Sequence, residues 1–156
     1  MIFQYPGWFT PRPETWAELA QLGSRLPGCR SAVELRSPKW LDGDTCETTL
    51  EWLEEYGLAF VCVDGPPSGP RSVPLVSATT ADTAIVRFIG RREVPEEPWS
   101  SPYRYSTTEL SGWVPRLRAL AGSSAEAHVL LDNSWGSDAV DNALELADLL
   151  RGDLDH

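Results

Sequence analysis

The chain has 156 residues, 42% of them hydrophobic and 23% charged, enough for one domain with a buried core and ordinary for a globular protein. Thirteen Lys and Arg against 23 Asp and Glu give a formal charge of −10. That argues against a protein devoted to sequence-independent phosphate binding, because counterion release demands a basic footprint; a small local basic patch stays open. Cys29, Cys46 and Cys62 are isolated and lack CxxC spacing, so they read as reduced thiols of a cytoplasmic protein rather than as a disulfide frame or a zinc site. No apolar run approaches the ~20 residues of a membrane span, and the N-terminus lacks the pattern of a secretory signal. Seven Trp is many for this length, and indole N–H groups want partners, so some of these rings are expected to line a cleft.

In chain order, Ile2 to Tyr5 is a short apolar strand ended by Pro6-Gly7. A helix follows with Trp16, Leu19, Leu22 and Leu26 on one face, stopped by Pro27-Gly28. Ser31 to Leu35 is the next strand, and Asp44 with Glu47 makes an acidic N-cap box for a helix carrying Leu50 and Leu53 and ending at Gly57. Leu58 to Val63 is a continuous apolar run closed by Asp64, the pattern of a strand buried on both faces. A Pro- and Gly-rich loop covers Gly65 to Pro74, Leu75 to Ala78 offers a short extra strand, and Ala84 to Phe88 is another buried one. Ser106 with Glu109 forms a capping box for a helix aligning Leu110, Trp113, Leu117 and Leu120. His128 to Leu131 is the last strand. Asp138 then caps a helix expected to turn Val140, Ala143, Leu144, Ala147 and Leu150 inward.

Strands alternating with helices predict a parallel sheet flanked by helices, in a doubly wound open sheet or a barrel. A doubly wound nucleotide binder should carry a Gly-rich phosphate turn after its first strand. Pro6-Gly7-Trp8-Phe9-Thr10-Pro11 is too bulky for that, so the pattern leans to a barrel.

Phe3-Gln4-Tyr5-Pro6 followed by Trp8-Phe9-Thr10-Pro11 resembles a motif of the domain of unknown function 72 family, also called YecE-like. So does Ala32-Val33-Glu34-Leu35-Arg36 with Trp40. Ala59 to Asp64, Val86 to Arg91, Tyr105-Ser106 with Glu109-Leu110 and Trp113, and Leu131-Asp132-Asn133 with Ala139-Val140 and Asn142-Ala143 resemble the later blocks in the same order. The resemblance implies a TIM-type (β/α) barrel, an α/β fold, and a family with no established activity. Two positions depart from the family pattern: Ile89 stands where His is usual, and Asp132-Asn133 stands where two Asn are usual. If the family's chemistry uses that His, its loss puts the chemistry here in doubt. The blocks present imply a single domain over 1–156 that is the C-terminal part of such a barrel, roughly the last five strands of eight. The family's N-terminal segment would be absent; since an ordinary barrel needs ~250 residues, roughly 90 to 100 would lie outside this chain. Unpaired edges at Ile2–Tyr5 and His128–Leu131 would then make the chain marginally stable or drive self-association.

In a parallel barrel the site lies at the C-terminal ends of the strands. Reading each strand to its end selects Gln4, Glu34, Arg36, Asp64, Arg87, Arg91, Asp132 and Asn133. Glu34 and Arg36 are two apart and share a face, either as a poised carboxylate or as a neutralising salt bridge. Arg87 lies between apolar Val86 and Phe88 on a buried strand, so it must be paired or face a wet cavity; with Arg36 and Arg91 it could form one positive patch for a carboxylate or phosphate. Asp64 reads as a general base or a turn residue. Trp8, Trp40 and Trp135 sit in loops after strands, where they would stack on a ring-bearing ligand or cap the mouth. Pro95 to Pro102, with Trp99, resembles a lid.

Only two His are present, His128 and His156, and no GxSxG, HExxH or P-loop motif occurs, so no metal and no cofactor is assigned. A carboxylate-only Mg²⁺ site from Glu34, Asp64 and Asp132 would be opposed by the flanking arginines. The leading functional expectation is a rim that binds a small anionic or phosphorylated ligand through Gln4, Arg36, Trp40, Arg87, Arg91, Asp132 and Asn133, with Glu34 or Asp64 as candidate acid/base; whether it is an enzyme stays open. The alternatives are a non-catalytic module for nucleic acid or a partner protein, with nucleic acid disfavoured by charge, or a truncated non-functional fragment.

Overall fold

The computed structural model describes residues 1–69, 72–92, 102–133 and 135–152. His156 and Trp99, with all of the lid-like 95–102 stretch but Pro102, lie outside the described residues.

Five strands alternate with helices: β1 Ile2–Tyr5, α1 Pro13–Ala20, α2 Leu22–Arg25, β2 Ala32–Leu35, a single 3₁₀ turn Pro38–Trp40, α3 Gly43–Glu55, β3 Ala59–Asp64, β4 Thr83–Phe88, α4 Thr107–Gly122, β5 Glu126–Leu131 and α5 Asp138–Gly152. Proline at the first position of α1 suits a helix start, where its missing N–H would be unpaired anyway. The helix expected from Trp16 to Leu26 breaks at Gln21, so it is two pieces, both burying leucines. The N-cap of α3 is Asp42, and Asp44 lies inside the first turn, where its charge still suits the helix dipole. The Ser106 box is present as expected. Its Oγ accepts from the Glu109 N–H, and Glu109 accepts the Ser106 N–H at 2.9 Å.

Two expected features differ. Residues 75–78 form no strand, and Leu75 is exposed. Its end is held at β3 instead: Cys62 Sγ donates to Ala78 O at 3.5 Å, and just beyond the segment Thr80 Oγ1 donates to Leu58 O at 2.6 Å and accepts from Phe60 N at 2.8 Å. In α5, Val140, Ala143 and Leu144 face outward, while Asn142 and Leu146 are buried. The inward face is turned because Asn142 is claimed by a hydrogen-bond network described below.

All four strand pairings are parallel, in the order β1-β2-β3-β4-β5. A doubly wound sheet reverses strand order at its middle; sequential order is that of a barrel wall. The helices share one side. Val33, Leu35, Phe60, Cys62, Ala84, Val86 and Phe88 pack there against Leu19, Leu53, Leu110, Trp113, Leu117 and Leu146. On the inner face Ala32, Ala59, Val61, Val63 and Ile85 form a smaller apolar layer, against which Val73, Ala81 and Ile89 pack. The protein is thus an α/β fold whose parallel sheet carries its helices on one face.

An aromatic file binds the first half together. Tyr5 and Phe9 lie 4.2 Å apart between ring centroids, Phe9 stacks on Trp40, Trp40 meets Trp16 at 4.6 Å, Trp16 meets Trp52 at 5.0 Å, and Trp52 stacks on Tyr56 at 4.1 Å. Such pairs add to the burial energy of large rings.

Ser106→Ala removes the acceptor for the Glu109 N–H while leaving the packed face of α4 intact. Urea denaturation should show a loss of about 1 kcal/mol with an unchanged m-value.

Candidate functional site

The C-terminal strand ends divide their polar residues between two faces, because successive residues on a strand point to opposite sides. Gln4, Glu34, Arg36, Arg87 and Asp132 share the inner face with Val61, Val63 and Ile85. Asp64 and Asn133 share the helix face with Phe60, Cys62 and Phe88.

The inner set is one chain of contacts. Arg87 Nη1 donates to Glu34 Oε2 at 2.7 Å and to Gln4 Oε1 at 3.0 Å, and Arg87 Nη2 pairs with Asp132 Oδ2. Arg36 Nε pairs with Glu34 Oε1, the other carboxylate oxygen. The side chain of Glu34 is 0% exposed, against 23% for Arg87 and 46% for Asp132. A carboxylate without water must be paired, and here it holds two guanidinium groups. Burial pulls the Arg87 pKa down, but hydrogen bonds and charge from Glu34 and Asp132 outweigh it and hold the group firmly charged. The cluster balances two cations against two carboxylates. Arg36 and Arg87 therefore form no bare positive patch, contrary to the sequence expectation.

Arg91 does not join them. Gly90 at φ +83° reverses the chain after β4, and a Cβ there would come within 3.0 Å of Tyr103. The turn lays Arg91 over the helix face, where its Nε and Nη2 grip Asp64 Oδ1 and Oδ2 at 2.8 and 2.6 Å as a bidentate fork. Asp64 also accepts from Trp113 Nε1 at 2.5 Å and from the Tyr105 hydroxyl at 3.0 Å. With those donors in place and only 2% exposure, Asp64 is a structural anchor, not an available base. Burial, with the Asp64 charge, pushes the Tyr105 hydroxyl well above its usual range, so it stays a donor.

Asn133 belongs to the same side. Its Nδ2 donates to Tyr103 O and to Asn142 Oδ1, both at 2.9 Å, and Asn142 in turn clamps the Tyr105 backbone through Tyr105 N and O at 2.9 and 2.8 Å. Trp40, assigned to the ligand rim from sequence, is fully buried, with Nε1 donating to Phe9 O at 2.6 Å; no ligand can reach it. Trp8 and Trp135 are exposed. The carboxylate trio Glu34, Asp64 and Asp132 is split by the sheet, and among the described residues no three His, Cys, Asp or Glu side chains are grouped as a metal site.

The sequence offers no signal for the polar roles of Trp113, Asn142 and Tyr103, or for that of Glu109 beyond its capping box. Trp113 and Glu109 carried helix signals that concealed their second task. A hollow of about 740 Å³ lies under the loop after β3, lined by Val63, Asp64, Ser72, Leu75 and Arg91 among others. Another of about 750 Å³ opens at the N-terminal end of the strands. Neither is lined by Glu34, Arg36 or Arg87.

Glu109 accepts from Tyr103 Oη at 2.6 Å and contacts Arg91 Nη1 at 3.3 Å. Burial raises its pKa, but the Tyr103 and Ser106 hydrogen bonds and the Arg91 charge prevail and hold it below the ordinary 4.5. Its stabilisation is complete above that value and disappears as pH falls through the lowered folded pKa. Denaturation midpoints compared between pH 7 and pH 3 should fall more for the native chain than for Glu109→Gln, and equal falls would refute the coupling. The same contact, after burial, lifts Tyr103 to about 12, so its phenol should resist ionisation in an alkaline absorbance titration that Tyr103→Phe alters.

Comparison with known proteins agrees with this architecture. The chain is 31% identical over 163 residues to the UPF0759 protein YunF of Bacillus subtilis (strain 168), a match covering 96% of this chain and 57% of that protein. Among solved structures it is similar to the DUF72 family protein EF0366 of Enterococcus faecalis V583, with TM-score 0.89 and 25% identity over 97% of this chain and 60% of the other. It is also similar to the DUF72 family protein TM1631 of Thermotoga maritima MSB8, with TM-score 0.85 and 30% identity over 96% of this chain and 56% of the other. The chain thus spans somewhat under two thirds of the length of these relatives. No described helix is long and apolar enough to cross a membrane. A family model described as "Protein of unknown function DUF72" matches residues 1–156, and the chain belongs to that family.

Proposed function

We propose that the inner-face rim binds a small anionic ligand, a carboxylate or phosphate, with Arg87 as its anchor. The supporting observation is the division of the Arg87 fork. One nitrogen is fixed by fully buried Glu34, while the other rests on Asp132, whose side chain is half exposed at the end of the last strand. A guanidinium fixed on one nitrogen and paired on the other with a half-exposed carboxylate is preorganised for exchange: an incoming anion displaces Asp132 and takes its place on Arg87 Nη2. Gln4 Oε1 orients Arg87 and Arg36 secures Glu34. Glu34 serves as a positioning residue, since it reaches no solvent. Asp64, Arg91 and Asn133 stand behind the sheet as support rather than as ligand contacts.

Isothermal titration with inorganic phosphate, and separately with succinate, tests this. Arg87→Gln should abolish binding, and Asp132→Asn should tighten it at least threefold by removing the internal competitor. Binding that survives Arg87→Gln, or no heat from either probe even in Asp132→Asn, would refute the proposal. Glu34→Gln should cost about 3 kcal/mol of stability, because two partly buried guanidinium groups lose their shared carboxylate; chemical denaturation measures it.

A further inference from the structure

We propose that the anion held at Arg87 is amphipathic, and that its apolar body lies in the hollow beneath the loop after β3. This deepens the ligand reading of the inner-face rim and rests on it.

The loop is the first observation. Parallel neighbours such as β3 and β4 are normally joined through a helix, yet among the described residues between them there is neither helix nor strand. The connection runs from residue 65 to residue 82, beyond the roughly 12 to 15 residues at which such loops become uncommon and are usually functional. Its return is pinned to β3 through Ala78 and Thr80, and Val73 packs against the inner apolar layer. Pro66, Pro67 and Pro74 fix φ along it, which lowers the entropy cost of holding one shape.

The second is the lining. The hollow encloses about 740 Å³, within the roughly 300 to 1,000 Å³ of small-molecule sites. Its walls include Pro38, Val63, Pro66, Val73 and Leu75. Leu75 is 42% exposed there, a large apolar side chain left in water far along the chain from both sheet edges. Among the described lining residues Asp64 and Arg91 carry charge, and they hold each other through two hydrogen bonds. The walls therefore suit an apolar occupant rather than another ion.

The third is continuity with the anchor. Phe88 is the register partner of Asp64 on β3 and of Leu131 on β5. The next residues, Gly65, Ile89 and Asp132, thus stand level with one another across three strands. A Cβ on Gly65 would come within 2.9 Å of Ile89 Cδ1, so Gly65 and Ile89 are in contact, and Ile89 packs on the inner layer. This row leads from the carboxylate that an anion would displace, over an isoleucine, to the lip of the hollow at Gly65. It covers about two strand spacings, roughly 10 Å, the reach of a medium-length alkyl chain.

Isothermal titration with butanoate, octanoate and dodecanoate, beside the titration with inorganic phosphate, tests this. Each buried methylene should raise affinity about fourfold at most, so dodecanoate should exceed butanoate by on the order of 100-fold. Leu75→Asp changes an exposed side chain, so circular dichroism should persist. It should weaken dodecanoate at least tenfold and leave phosphate within twofold. Arg87→Gln should abolish phosphate binding and weaken dodecanoate at least tenfold. Methyl resonances of Val73 and Leu75 should shift with dodecanoate and stay in place with phosphate.

Phosphate binding that Arg87→Gln removes, with dodecanoate no tighter than butanoate, would overturn the hollow and leave the anchor standing. Dodecanoate affinity unmoved by Leu75→Asp would do the same. Dodecanoate affinity unmoved by Arg87→Gln, or 1-octanol binding as tightly as octanoate, would overturn the link between hollow and anchor. No binding of phosphate or of any of the carboxylates would overturn both.

Discussion

The pleat of the parallel sheet governs everything at its C-terminal end. Neighbouring residues on a strand must point to opposite faces, so a polar pair at a strand terminus is divided between two environments. Asp132 goes to the inner face and meets Arg87; Asn133 goes to the helix face and meets Asn142. Val63 and Asp64 divide likewise. The result is two electrostatic systems about one sheet thickness apart, one centred on Glu34 and one on Asp64, each carboxylate buried and each reached by a partly exposed arginine.

The Asp64 system ties α4 and α5 to the sheet. A carboxylate buried behind an apolar sheet would be ruinous alone, but Asp64 gathers an indole, a phenol and a guanidinium fork. Each donor comes from a different part of the chain: Arg91 after β4, Tyr105 before α4, Trp113 within it. The network therefore specifies how α4 seats on β3, while Asn133 and Asn142 seat α5 through the Tyr105 backbone. Fully satisfied buried networks of this kind hold neighbouring elements rigidly in one arrangement.

Much of the architecture was legible because it depends on local patterns. The continuous apolar run at β3, the box at Ser106 and the strand–helix alternation each have short-range causes. Glu34 and Arg36 were read as sharing a face from spacing alone, and they do. Asp64, Asn133 and Arg91 also end strands, yet strict alternation counted from Phe60 places Asp64 behind the sheet. Arg91 was not legible in the same way, since its course depends on the left-handed turn at Gly90 and on Tyr103, which comes thirteen residues later in the chain. Trp40 was misplaced because a loop position after a strand resembles a rim, whereas the 3₁₀ turn folds the indole under Phe9. The face of α5 was misread because hydropathy treats Asn142 as a surface residue, and hydrogen bonding buried it.

The aromatic file from Tyr5 to Tyr56 has an optical consequence. Indoles whose centroids stand 4.6 to 5.0 Å apart, as in Trp40–Trp16–Trp52, share electronic excitation instead of absorbing independently. Ellipticity in the far ultraviolet thus carries an exciton contribution from rings as well as one from peptide groups, and a helix content taken from amplitude alone will be in error. The same coupling reports the registry of α1 against α3, because it depends on the distance and angle between Trp16 and Trp52.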